Sequence, residues 1–144
     1  MAPILAALVL RLLELRMSGG MALRAEMPAC VGSRRESALI DLVHLSKYTL
    51  GDRSLECELL GLFRCQAGVY VDRLEACSSP KEWKDAAHSL KGSARGVGAW
   101  AVADHAETAE QLADPSGEAR EDALMMLRNT VDETVAHIEV LLAD

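Results

Sequence analysis

KEWKDAAHSLKGSARGVG, residues 81–98, decides how this chain folds. Within it Trp83, Ala87, Leu90, Ala94 and Val97 recur at steps of four, three, four and three. That rhythm lines one face of a helix, and so apolar a face must turn toward a core. His88 falls on the opposite side: at about 100° per residue it lies roughly 200° from Leu90 and roughly 180° from Val97. One turn from it stand Lys84, Lys91 and Gly92, and two turns away Lys81 and Arg95. The solvent side of this helix should therefore present an imidazole, a ring of cations and one position without a side chain.

Outward from this segment the chain stays helical. Ser78-Ser79-Pro80 precedes it, with Ser79 placed to cap and Pro80 at the first helical position, so the helix is expected over 80–97. Upstream, Leu55, Leu59, Leu62, Phe63, Ala67, Tyr70 and Leu74 mark a long helix over 53–77 and its expected core stripe. Gly61 and Gly68 each cost that helix about 1 kcal/mol, so packing must hold it together. Gly51-Asp52 separates it from a short helix over 39–49. Downstream come an Ala-rich helix over 99–113, a turn at Asp114-Pro115-Ser116-Gly117, and a last helix over 118–142. The latter carries Leu124, Leu127, Val131, Val135, Ile138 and Leu142 along one side. Four long helices with short connections imply an all-α, antiparallel up-down four-helix bundle with a short additional N-terminal helix.

Composition agrees. Half of the 144 residues are hydrophobic but only 3% are aromatic, which suits helices better than strands. A net charge of −7 excludes a dedicated nucleic-acid binder, which needs a basic face. Cys30, Cys57, Cys65 and Cys77 form no C-x-x-C pair and read as reduced cytoplasmic thiols, Cys65 as a small core residue. No stretch reaches the ~18–20 apolar residues of a membrane span. Residues 2–16 (APILAALVLRLLELR) form a short apolar helix pattern with Ile4, Leu5, Leu8, Leu12 and Leu15 on one face. Residues 17–36 have the make-up of a linker. Residues 1–36 are thus expected to be an extension, and residues 37–144 the bundle domain.

The face around His88 suits phosphoryl chemistry. A neutral imidazole nitrogen is nucleophilic near pH 7 without a dedicated base. Lys91, with Lys84 beside it, can pair with phosphoryl oxygens. Gly92 removes a side chain that would crowd the ring as a partner closes over it. Singly, each feature has a plainer use: a solvated histidine, a solubilising basic stripe, a glycine for close packing. Their coincidence opposite a clean apolar stripe favours chemistry. His44, His105 and His137 lack such company and read as structural or surface residues.

His88-Ser89-Leu90-Lys91-Gly92-Ser93-Ala94, continued by Val97-Gly98, resembles the motif of histidine phosphotransfer (HPt) domains of bacterial phosphorelays. The resemblance extends over about residues 39–142 and includes Asp41-Leu42, Gly51-Asp52 and Leu59-Leu60 with Leu62-Phe63. It implies a bundle that accepts a phosphoryl group on His88 from a receiver aspartate or a histidine kinase. The group would then pass to a response-regulator receiver domain, with no kinase activity of the chain's own. By position, Lys91 would stabilise the phosphate and Gly92 give access, with Lys84 and Arg95 in support. Glu110, twenty-two residues after the histidine, stands where many members place a Gln or Glu that bonds the imidazole; a plain surface residue is the equal alternative. The implied partners are receiver domains and a sensor histidine kinase, in the cytoplasm, without nucleic acid or membrane. No cofactor is expected, Mg²⁺ belonging to the receiver. A monomer is expected, a dimer through the N-terminal helix being the alternative. Other readings are an HPt-like adaptor that docks receivers or kinases without carrying phosphate, a dimeric phosphotransferase, and a plain structural bundle.

Overall fold

A computed structural model describes residues 39–112 and 114–144, and among these it has five helices and no strand. They are α1 (Leu42–Thr49), α2 (Arg53–Ala76), α3 (Pro80–Val97), α4 (Trp100–Glu110) and α5 (Gly117–Ala143). The apolar pattern of residues 2–16, the linker and Cys30 lie outside the described residues. In the described residues no helix is long and apolar enough to cross a membrane.

Local chemistry explains where the helices begin. Asp41 caps α1 by accepting the His44 N–H at 2.9 Å, which starts that helix later than its apolar pattern suggests. Asp52 caps α2 through the Ser54 and Leu55 N–H groups. Ser79 accepts the Glu82 N–H at 3.2 Å, and Pro80 follows in the first turn of α3. α4 stops at Glu110, short of the expected boundary, because the Leu112 N–H turns back three residues to the Ala109 carbonyl.

Each of the four longer helices packs on two others, α2 on α3 and α5, and α4 on α3 and α5, while α1 lies against α2 and α3. All five members of the α3 stripe are buried, with Trp83, Ala87, Leu90 and Ala94 at 1% exposure or less. Facing them from α4 are Val102, Ala103, Ala106 and Ala109, none of them exposed to solvent. The small side chains let the two backbones approach closely. Trp83 fixes how far one helix slides along the other, since its indole N–H donates to the Ala109 carbonyl at 2.7 Å. Arg120 secures the far end of α2 by donating to the carbonyls of Leu74, Glu75 and Cys77, its guanidinium lying over the Trp83 ring.

The α2 stripe differs from the expectation. Leu60 and Val71 are buried with Phe63, Ala67, Tyr70 and Leu74, whereas Leu55 is exposed and Leu59 and Leu62 are half-buried. A helix that covers two neighbours buries a wider arc, and its centre follows the seam between them rather than the richest leucine row. Cys65, expected in the core, is exposed for the same reason.

α1 is tied to the α3–α4 corner through one aspartate. Besides capping α1, Asp41 accepts the Trp100 indole N–H at 3.1 Å and donates its own N–H to the Gly98 carbonyl. Partial burial pushes the Asp41 carboxyl up, but the His44 N–H, the Trp100 indole and the nearby charges outweigh it and hold the carboxyl below the usual range. His44 donates Nε2–H to the Arg95 carbonyl at 2.9 Å, which gives this histidine a structural place. Gly98 has φ +78°, and a Cβ there would sit 2.8 Å from the Asp41 carbonyl oxygen. Backbone cannot yield as a side chain can. Gly98→Ala should therefore destabilise the fold by about 1–3 kcal/mol, measured by urea unfolding; a loss within 0.5 kcal/mol, roughly the scatter of surface substitutions, would contradict this account.

Candidate functional site

The buried stripe of α3 holds the helix from behind and leaves His88 outward, its side chain 65% exposed. Across the seam, α4 brings Glu110 to it. Glu110 Oε1 lies 2.7 Å from His88 Nδ1, and Oε2 accepts a hydrogen bond from the Lys91 ammonium. One carboxylate therefore bridges the imidazole and the lysine. Its side chain is only 14% exposed, as is that of Lys91.

Electrostatics settle which ring nitrogen carries the proton. The Lys91 hydrogen bond, joined by that from His88, holds the Glu110 carboxyl below the ordinary glutamate value against the opposing effect of burial. Glu110 is then ionised near neutral pH and can only accept. Nδ1 must donate, which leaves the lone pair on Nε2. That nitrogen faces away from the carboxylate.

Lys91 and Arg95 are not the open cations that the α3 sequence suggests. Lys91 is held by Glu110 and lies 3.9 Å from Glu107 Oε1, and Arg95 reaches the same Glu107 oxygen at 3.2 Å. Two carboxylates from α4 thus compensate two of the cations on α3. Lys81 and Lys84 line, with Lys91, Glu107, Glu110, Gln111 and Leu112, a cleft of about 610 Å³. Gly92 lies on the same side, and a Cβ there would meet nothing within 4 Å. Close packing within the described chain is therefore not what the glycine provides. Any crowding it relieves must come from outside.

Glu107 escaped the sequence reading. A signal was present: it precedes Glu110 by three residues, so the two share a face of any helix through that region. What could not be read was that this face meets α3 rather than water. No group of three or more His, Cys, Asp or Glu residues suited to a metal ion occurs among the described residues.

A family model described as Hpt domain matches residues 58–141, from early α2 to near the end of α5. No curated protein and no solved structure matches the chain.

Two measurements probe this site without any partner. A carboxyl whose folded value is depressed stabilises the fold above its unfolded value of about 4.3, and that contribution is lost as pH falls through the lower folded value. Glu110→Gln should thus be less stable than wild type at pH 7, with the gap closing below about pH 4; urea titrations at both ends would show a pH-independent gap if the linkage were absent. Gly92→Ala should leave stability unchanged or raise it by about 0.5–1 kcal/mol, since helix propensity improves and nothing is struck. A clear loss of Tm in that variant would mean the open space is not there.

Proposed function

This chain belongs to the Hpt domain family, and from that premise we propose that it is a phosphocarrier whose His88 accepts and passes on a phosphoryl group in a two-component phosphorelay. The observation that carries the reading is the exposed His88 ring bonded through Nδ1 to an ionised Glu110. In it, Nε2 attacks the phosphorus of an aspartyl phosphate on a receiver domain. The N–P bond forms, the bond to the acyl oxygen breaks, and the partner's carboxylate leaves. Glu110 keeps the proton on Nδ1 throughout and offsets the positive charge that the ring acquires.

Lys91 and Gly92 act beside the ring in this reading, the first on the phosphoryl oxygens, the second by leaving the approach open. Lys84 adds positive charge that draws an acidic partner and raises its association rate more than its affinity, with Arg95, paired to Glu107, in support. The partners are response-regulator receiver domains and a sensor histidine kinase, in the cytoplasm, with Mg²⁺ held by the receiver and no kinase chemistry in this chain. The phosphotransfer unit is residues 37–144. Its helices form an antiparallel up-down bundle, a topology supported by the bonds from Arg53 to the Leu141 carbonyl and from Arg128 to Asp72 and Glu75.

Incubating the chain with a phosphorylated receiver should give acid-labile, base-stable label on the wild type and none on His88→Gln. Gly92→Gln should fold and yet slow transfer by tenfold or more, roughly 1.4 kcal/mol at the transition state. Label that persists on His88→Gln would move the site elsewhere. A wild type that never takes label across a panel of receivers would leave the non-phosphorylated adaptor.

A further inference from the structure

We propose that Glu107 is a positioning residue acting through Lys91: it draws that lysine's charge away from His88 and so keeps the phosphorylated state short-lived. The inference rests on His88 being the phosphoacceptor. Along the seam between α3 and α4 the charges alternate, Arg95, Glu107, Lys91, Glu110, and then the His88 ring. Glu107 Oε1 is shared, 3.2 Å from Arg95 and 3.9 Å from Lys91, while Glu110 holds Lys91 with one oxygen and Nδ1 with the other. Lys91 is nearly buried at 14% side-chain exposure, so charges about 4 Å away act on it more strongly than they would in water.

With the ring neutral, two cations and two anions cancel. A phosphoryl group on Nε2 adds further negative charge, about −1.5 to −2 for a phosphate monoester, and Lys91 then has three anionic claimants. Glu110 is committed to the ring. Glu107 makes no contact with the ring, so its hold on Lys91 and Arg95 is compensation withheld from the phosphate. Neutralising it releases both cations toward the phosphoryl oxygens and stabilises the bound group relative to its departure. In hydrolysis a water oxygen bonds to phosphorus, the N–P bond breaks, its electron pair returns to Nε2, and inorganic phosphate leaves with the water's oxygen.

The test uses the full chain phosphorylated with phosphoramidate, followed by ³¹P NMR as the phosphohistidine decays. Glu107→Gln should lengthen the lifetime by about threefold to tenfold, while Glu107→Asp, which keeps the charge, stays nearer wild type. Arg95→Gln should shorten it, because Glu107 then acts on Lys91 alone and one cation is gone. A role confined to holding α3 against α4 would move both neutral variants in the same direction. Lifetimes of Glu107→Gln within twofold of wild type, or shorter, overturn the proposal while leaving the phosphoacceptor reading intact. A wild type that takes no phosphoryl group from either phosphoramidate or a phosphorylated receiver ends both.

Discussion

The bond from the Trp83 indole to the Ala109 carbonyl sets the register of α3 against α4, and the site depends on that register. A helix rises about 1.5 Å per residue, so sliding α4 by a single turn would carry Glu110 out of reach of His88. The Trp83 ring is buried, which makes its N–H costly to leave unpaired, and the Ala109 carbonyl receives it. The alanines at 103, 106 and 109 then allow the close approach that puts a short glutamate side chain within 2.7 Å of the ring. Register and proximity are separate requirements here. The indole supplies one and the alanines the other.

What reaches the surface is a chemically asymmetric face. Toward α4, carboxylates compensate the cations nearest the ring; farther along the cleft, Lys81 and Lys84 stand beside Leu112 and Gln111. A carboxylate between an ammonium and an imidazole has two effects that pull differently. It raises the electron density on Nε2 by accepting from Nδ1, and it tempers a lysine that would otherwise bind a passing anion without transfer. For a carrier, holding phosphate too firmly is as much a failure as not accepting it, and the role proposed for the α4 acids bears on that balance.

The C-terminal end of α3 shows how the fold anchors that helix. Asp41, Gly98 and His44 tie α1 to the end of α3 and the start of α4 through three hydrogen bonds, two of them to backbone carbonyls that a helix end leaves over. Each of these groups is ordinary in the sequence: an aspartate before an apolar run, a glycine after a valine, a histidine without charged company. Their roles come from what the chain brings beside them. The exposed Leu55 and Cys65 make the converse point, for the apolar row on α2 that looks richest in sequence is not the one the seam covers.

The sequence by itself determined the helices, the cap at Ser79 with Pro80 in the first turn, the buried face of α3 and, by subtraction, the outward position of His88. These follow from periodicity and local hydrogen bonding, which involve residues within a turn or two of each other. Residues 88, 91 and 92 are close for the same reason, so the motif that carries the family resemblance was legible before any fold. Contacts across the seam were not. That Glu107 and Glu110 face α3, that Lys91 is compensated, and that Gly98 is pinned by Asp41 all depend on helix register and approach, set by the summed packing of side chains far apart in the chain. Periodicity says which side of a helix is apolar; only tertiary packing decides what stands opposite each residue on it.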